Sequence, residues 1–180
     1  GKKLLFMGSE FGQFIEWKYD DSLDWHLLNY PMHLAMHDYV RQLNGYYVDH
    51  PELWEEDCDW SGFSWISCDD NDNSAIAFFR TGKDETDSTV VICNFTPVVR
   101  HSYRIGVPVK GDYVEVFNSD AEAFGGSNVL NEGVFAAQDV PMHGMDQSIE
   151  LTLPPLATIY LRRKGCEAEK PDCEEEQLNG

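Results

Sequence analysis

The stretch Lys3-Leu4-Leu5-Phe6-Met7-Gly8-Ser9-Glu10-Phe11-Gly12-Gln13 is the natural starting point for the fold of this chain. It joins a short apolar run to a glycine, a carboxylate and an aromatic ring. An apolar run closed by glycine is typical of a strand buried on both faces, as found in parallel sheets. Ligands bind at the carboxyl ends of such strands, so Ser9, Glu10 and Phe11 are expected at the rim of a site.

A parallel strand needs neighbouring strands, and the sequence supplies none before it. The chain starts two residues ahead of the quoted stretch. We therefore expect this polypeptide to be the end of a larger enzyme.

A loop and a helix are predicted after this strand. The loop covers about residues 13–30 and carries two tryptophans and several carboxylates, and loops this long are usually functional or disordered. Pro31 is suited to the first turn of a helix, and Asn44-Gly45 to its end. An apolar stripe at three- and four-residue spacing supports the helix. The stripe comprises Met32, Ala35, Met36, Tyr39, Val40 and Leu43. Strand, loop and helix make one β/α unit, predicted over residues 1–54.

The pattern changes to alternation beyond a boundary placed near Trp54. Short runs rich in Thr, Val, Ile, Tyr and Phe are separated by turn residues, which predicts an antiparallel β-sandwich over residues 55–164. The predicted strands cover 63–67, 74–80, 89–95, 102–107, 113–118, 148–153 and 157–162, with an edge strand near Val134. Residues 165–180 are acidic and too poor in apolar side chains to fold, so a disordered tail is expected.

Composition excludes several classes of partner. The formal net charge of -19 repels phosphate backbones and anionic membranes, so neither nucleic acid nor membrane is expected to bind. No apolar run approaches the roughly 18 residues of a membrane span, and no secretory signal opens the chain. Five cysteines without a C-x-x-C spacing argue against a disulfide framework or a zinc site and suit a reducing cytoplasm.

Three matches carry a family resemblance. The first is FMGSEFGQ at 6–13, followed by EW at 16–17 and SLDWHLL at 22–28; the others are CNFTPVVRH at 93–101 and LTLPPLATIYL at 151–161. In this order and spacing they resemble the C-terminal portion of 1,4-alpha-glucan (glycogen) branching enzymes, which belong to the alpha-amylase clan. The likeness runs from about Lys3 to Arg163 and leaves only the tail outside.

The resemblance implies a (β/α)8 barrel followed by an all-β domain, of which this chain would hold the last barrel unit and the whole β domain. It also implies cleavage of an α-1,4 glucan and transfer of the cut piece to a 6-hydroxyl. Such retaining chemistry uses two carboxyl groups about 5–5.5 Å apart. In this family those groups come from earlier barrel strands, so no catalytic residue is assigned here and the chain alone is expected to be inactive. The implied partners are an α-glucan and the missing barrel, with no cofactor.

Four residues are predicted to bind substrate, namely Glu10, Phe11, Trp17 and Trp25. Glu10 would support the site wall, and its alternative role is to accept hydrogen bonds from loop N–H groups. Either tryptophan could stack on a sugar face, because an aromatic ring suits the C–H face of a pyranose. The alternative for both is packing of the loop onto the barrel.

Other conspicuous side chains have simpler interpretations. His33 and His37 lie four apart on the helix, but without a third ligand they are expected on a solvated face. The acidic run 69–72 lacks the glycine and glutamate of a calcium loop, so no metal site is expected. Phe63 and Trp65 alternate on one face of a strand, which favours core packing over sugar binding.

Two other functions stay open from the sequence. The chain could come from another alpha-amylase-clan enzyme, such as a debranching or trehalose-forming one. It could also be a stand-alone β-sandwich that binds glucan or a protein without catalysis.

Overall fold

The computed structural model describes residues 3–84 and 87–165, which form one long helix and eight strands. Their bounds are α1 Pro31–Asp49, β1 Phe63–Asp70, β2 Ala75–Thr81, β3 Ser88–Asn94, β4 Arg100–Val107, β5 Asp112–Asn118, β6 Phe135–Ala136, β7 Gln147–Leu153 and β8 Thr158–Arg163. Short 3-10 turns cover Ser9–Phe11 and Trp25–Asn29 before the helix. The predicted tail, with Cys166 and Cys173, lies outside the described residues except for Gly165.

The strands form two sheets. Six strands lie in the order β1-β2-β3-β8-β5-β6, and β4 pairs with β7 in a second sheet. Every strand pair in the described part of the chain is antiparallel. The predicted antiparallel sandwich and its seven main strands are therefore confirmed. The edge strand expected near Val134 is the short β6, which begins at the next residue.

The core lies between the two sheets, because alternate residues of each strand point to the same face. Its members are Ile66, Ala75, Ala77, Val90, Ile92, Ile105, Val107, Tyr113, Ile149, Leu151, Leu153, Ile159 and Leu161. Each is almost inaccessible to solvent. The polar tip of Tyr113 is satisfied inside this core, since its hydroxyl donates to the carbonyl oxygen of Val109 at 2.7 Å.

Helix α1 covers part of the opposite face of the six-stranded sheet. The ring of Tyr46 lies 5.3 Å from that of Tyr160 and 5.9 Å from that of Phe117, while Tyr39 lies 5.8 Å from Phe117. Of the predicted apolar stripe only Val40 is fully buried. The structure is therefore helix on sheet on sheet, with the helix held mainly through aromatic rings.

The helix runs past the end predicted from its sequence. Asn44-Gly45 was expected to terminate it, but α1 continues to Asp49. The prediction is wrong because Tyr46 in the last turn packs on the sheet. A local hydrogen bond of 2.6 Å, from Nδ1 of His50 to the Tyr46 carbonyl oxygen, also holds this turn. Pro51 then prevents further extension, since the residue before a proline avoids helical geometry. No helix within 3–84 or 87–165 has the length and apolarity needed to cross a membrane.

The strand predicted at the start of the chain is absent. Residues 3–6 have no regular secondary structure, and Leu4 is 83 % exposed. The prediction fails for a physical reason: no described strand lies beside this segment to accept and donate ladder hydrogen bonds. Instead Lys3 fixes the segment to the end of the helical region, because its Nζ donates to the Leu53 carbonyl at 3.1 Å and pairs with Asp57 at 3.1 Å. The barrel unit over residues 1–54 stays a prediction.

A buried polar cluster joins this region to the sheet. Glu52 follows the helix and is fully buried. Its Oε1 accepts a 2.5 Å hydrogen bond from the Thr89 hydroxyl and lies 3.2 Å from Nε of Arg162. Arg162 also pairs with Asp87. These contacts place residues from the helical region, β3 and β8 in one network.

Trp65 does not belong to the core. It pairs with Phe78 in the β1–β2 register and is 51 % exposed, so the prediction of core packing is wrong for this residue. Phe63 is only partly buried. Both rings lie on the outer face of the sheet, with Phe63 5.0 Å from Trp65 and 5.2 Å from Phe78. They lie outside the core because the sheet has a second apolar face, of which α1 covers only a part.

Candidate functional site

The motif at 6–13 forms a tight glycine-bounded turn. Gly8 and Gly12 have φ values of 84° and 71°, which favour glycine, and they flank the 3-10 turn Ser9–Phe11. The Ser9 Oγ accepts a 3.0 Å hydrogen bond from the Phe6 N–H, and the Gly8 carbonyl accepts one from the Gln13 N–H at 3.1 Å. A Cβ on Gly8 would lie 2.9 Å from Cβ of Gln13. The sequence therefore folds back on itself here and presents Glu10 at the outside of the turn.

Two side chains connect this turn to the rest of the segment. The Gln13 Oε1 accepts a 2.9 Å hydrogen bond from the Asp24 N–H, and its Nε2 donates to the Ile15 carbonyl at 2.9 Å. The carbonyl of Phe11 can only accept, so the Nδ1 of His33, 2.7 Å away, is the donor. His33 is thus bonded to the loop, and its expected place on a solvated helix face is wrong.

Glu10 lines an open cleft of about 530 Å³ between the turn and helix α1. His37, Arg41 and Asn44 line the same cleft from the helix. Among the residues that the structure describes, the Glu10 carboxylate makes no hydrogen bond or ion pair, so the alternative role of accepting from loop N–H groups is not observed. The cleft combines an acid, a base and an amide, groups suited to polar ligands.

Phe11 and Trp25 have different environments although their rings lie 5.3 Å apart. Phe11 is completely buried and therefore has no ring face open to a ligand. This corrects the expectation of substrate contact for Phe11: its ring packs the turn, because the chain closes over it between the two glycines. Trp25 begins the second 3-10 turn and is 54 % exposed, so one part of its ring packs on Phe11 and another faces solvent.

Trp17 is the most exposed of the four predicted residues. Its φ of 59° is unusual for a non-glycine residue, and its side chain is 71 % exposed. The ring lies 5.1 Å from that of Phe6, which gives it one partner within the segment. A backbone held in this conformation directs an aromatic face outward beside the turn.

An ion pair stabilises the acidic loop that follows. Lys18 Nζ lies 2.8 Å from the Asp21 Oδ2. This hydrogen bond lowers the pKa of Asp21 and raises that of Lys18, and both groups are exposed. Both side chains therefore stay charged at neutral pH, and the loop keeps its excess of carboxylates.

The structure brings the predicted residues into one segment but not into one cavity. Glu10 lines the cleft against α1, whereas Trp17 and Trp25 contact other rings of the loop. Sequence reasoning missed the structural roles of Gln13 and His33. Gln13 stands inside the quoted motif and could have been recognised as a loop-fixing amide, while nothing in the sequence indicates the partner of His33.

No set of three or more His, Cys, Asp or Glu side chains within 3–84 and 87–165 is arranged to hold a metal ion. His37 lies in the cleft with Glu10, and His33 is bonded to the loop. The candidate site therefore consists of the Glu10 cleft and the two exposed tryptophans beside it.

Comparison with known proteins gives consistent results. The chain is 54 % identical over 162 residues to a protein named 1,4-alpha-glucan branching enzyme GlgB from Halothermothrix orenii, and 50 % identical over 165 residues to one of that name from Rhodospirillum rubrum. These alignments cover 90 % and 92 % of this chain but only 26 % and 22 % of the relatives. The chain thus spans about a quarter of the length of the relatives it matches.

A solved alpha-amylase from H. orenii aligns with 72 % of this chain and 20 % of its own, at a TM-score of 0.42 and 16 % identity. Residues 65–164 match the family described as alpha amylase, C-terminal all-beta domain. This match contains most of β1 and all of the strands that follow it. The chain therefore belongs to the family of alpha amylase C-terminal all-beta domains.

Proposed function

We propose that this chain is part of a 1,4-alpha-glucan branching enzyme, which forms α-1,6 branches by retaining transglycosylation. The observation that carries the proposal is identity of 50–54 % to proteins of that name over about nine-tenths of the chain. Alignments of 162 and 165 residues are long enough to include helix α1 as well as the β domain, which favours branching over the debranching and trehalose-forming alternatives.

In this proposal residues 1–54 belong to the last β/α unit of the catalytic barrel, and residues 3–6 become its strand only beside the other barrel strands. Residues 55–164 are the β domain, and residues 165–180 are a tail. The two carboxyl groups of the reaction lie in the other barrel strands, so the chain alone is inactive. Its partners are the remainder of the barrel and an α-glucan, and its compartment is the cytoplasm.

Glu10, Trp17 and Trp25 supply the proposed glucan contacts. The Glu10 carboxylate has no internal partner among the described residues and faces a cleft, so it can accept hydrogen bonds from sugar hydroxyls. The exposed faces of the two tryptophans can stack on pyranose rings. Phe11 supports the turn from inside and makes no contact with the glucan.

A chimera tests the proposal. The corresponding C-terminal quarter of the Halothermothrix orenii relative is replaced by this chain, and the joined protein is incubated with linear amylose. Proton NMR then measures the ratio of α-1,6 to α-1,4 linkages. The expected result is a rise in α-1,6 linkages over time.

Two controls make the result interpretable. The shortened relative without any C-terminal segment shows whether this chain is needed, and a chimera with the exposed substitution Lys110→Ala shows that surface changes are tolerated. A folded chimera that cleaves amylose without forming α-1,6 linkages contradicts the proposal and favours another reaction of the clan.

A further inference from the structure

A second cleft lies at the edge of the six-stranded sheet, and none of its lining residues lines the cleft that holds Glu10. It has a volume of about 340 Å³, within the range of about 300–1,000 Å³ usual for small-ligand sites. The segment before β1 supplies Glu56, Asp57, Cys58, Asp59 and Trp60, and the strands supply Phe63 and Arg80. The cleft therefore combines aromatic rings with carboxylates and a guanidinium.

Trp60 is the most conspicuous residue of this cleft. Its side chain is 89 % exposed, although tryptophan is usually well buried. Phe63 lines the same cleft, and its ring continues to Trp65 at a centroid distance of 5.0 Å. Trp60 and Phe63 thus line one cleft, and the exposed ring of Trp65 lies beside Phe63 on the edge strand β1.

The backbone turn that carries Trp60 is closed by local contacts. Asp59 caps it by accepting a 2.9 Å hydrogen bond from the Ser61 N–H. Any Cβ on Gly62 would collide with the backbone carbonyl of Glu56, so the chain folds back closely on itself there. The turn backbone therefore presents the Trp60 ring to solvent without rearrangement.

The polar side of the cleft contains a buried, hydrogen-bonded pair of side chains. Arg80 is only 9 % exposed, and its NH2 donates to Asp57 at 3.0 Å. The buried Nε of the same guanidinium has no hydrogen-bond acceptor among the described residues. Arg80 thus forms part of the cleft wall, with its guanidinium held by Asp57.

We propose that the cleft at Trp60 binds a second segment of an α-1,4-glucan chain, apart from the candidate site at Glu10. Trp60 stacks on a pyranose face, while Asp59, Glu56 and Arg80 exchange hydrogen bonds with the sugar hydroxyls. The identity of the sugar as an α-glucan rests on the proposed function. A stacking ring beside hydrogen-bond donors and acceptors fits a neutral polyhydroxyl chain. The carboxylates disfavour an anionic partner.

The experiment uses the 180-residue chain labelled with 5-fluorotryptophan. Its five tryptophans give separate fluorine NMR signals, and Trp60→Phe and Trp54→Phe assign two of them. Maltoheptaose is then titrated into the labelled chain. The Trp60 signal is expected to shift in a saturable manner, while the Trp54 signal stays in place and serves as the control within the same molecule.

A variant series measures the contribution of the ring. Trp60→Ala is expected to weaken maltoheptaose binding about tenfold and to migrate more freely in a glycogen-containing native gel, whereas Trp60→Phe retains most of the affinity. A Trp60 signal that does not move while the chain stays folded overturns the inference. So does glycogen retardation that is equal in Trp60→Ala and in the parent chain, or a shift confined to signals other than that of Trp60.

This outcome is separable from that of the proposed function. Absence of α-1,6 linkages in the chimera, with a saturable Trp60 shift, contradicts the branching activity but supports the second glucan site. Branching by the chimera without a Trp60 shift supports the branching activity but contradicts the second glucan site.

Discussion

The Nε atom of Arg162 lies 3.2 Å from Oε1 of Glu52, and both side chains are buried. Arg162 belongs to the last strand, whereas Glu52 follows helix α1. The pair therefore links the helical region to the sheet through the interior. The Thr89 hydroxyl donates to the same Glu52 oxygen at 2.5 Å and in turn lies 3.2 Å from the Tyr46 hydroxyl, so helix, strand and connection share one polar cluster.

Glu52→Ala is expected to lower the free energy of unfolding by about 3–5 kcal/mol. The reason is that Arg162 would remain buried with less compensation, and loss of one partner of a buried pair costs that much. Urea denaturation followed by circular dichroism gives the measurement. The matched control is Glu150→Ala, which removes a partly exposed pair with Arg104 and is expected to cost at most about 1 kcal/mol. Equal losses in both variants would contradict a structural role for the buried pair.

Gly45→Ala is expected to stabilise the protein by about 0.5–1 kcal/mol. Gly45 lies inside α1, and a Cβ there meets nothing within 4 Å. Alanine therefore improves helix propensity without a clash. The thermal midpoint should rise for this variant. Gly106→Ala is the opposite case, because a Cβ would collide with the Met142 carbonyl, and its midpoint should fall. A lower midpoint for Gly45→Ala would show that the helix does not pass through this residue.

Asp57 is expected to contribute a pH-dependent part of the stability. Burial alone would raise its pKa, but hydrogen bonds from Lys3 and Arg80 outweigh this and lower the pKa of Asp57 to about 2. Because the folded state binds the proton less readily than the unfolded chain, the contribution is complete above about pH 4 and is lost as the pH falls towards about 2. Thermal melts across this range should therefore fall more steeply for the parent than for Asp57→Asn. Parallel slopes for the two proteins would rule out this contribution.

The sandwich could be predicted from sequence because its signals are local. Strands such as β3 and β8 are rich in β-branched residues and are bounded by turn residues, and their pairing follows from which faces are apolar. The start of α1 is equally local, since Pro31 needs no partner at the first turn.

The predictions that failed depend on neighbouring elements that the local sequence does not reveal. Residues 3–6 look like a buried strand, but a strand needs hydrogen-bonding neighbours, and the run of apolar letters does not say whether they are present. The helix passes Gly45 because Tyr46 finds aromatic partners on the sheet, far away in sequence. The prediction for Trp65 failed because alternation identifies the two faces of a strand but does not say which face is covered by the other sheet.

The candidate site was predictable only in part. The position of Glu10 beyond an apolar run directed attention to this turn, and the structure places Glu10 in the lining of a cleft; its contact with a ligand stays a prediction. The burial of Phe11 could not be anticipated, because it depends on the closure of the turn between Gly8 and Gly12 and on the ring of Trp25. Adjacent residues of one motif therefore have opposite exposures.

Trp17→Ala and Phe11→Ala are expected to separate glucan contact from packing in the chimera described above. Trp17 is 71 % exposed, so its truncation should change the free energy of unfolding by less than about 0.5 kcal/mol while raising KM for amylose. Phe11 is fully buried, so its truncation should cost about 3–5 kcal/mol of stability. Urea denaturation and initial branching rates at several amylose concentrations provide the two readouts. An unchanged KM in a stable Trp17→Ala chimera would remove Trp17 from the glucan site and leave its exposed ring to a protein contact.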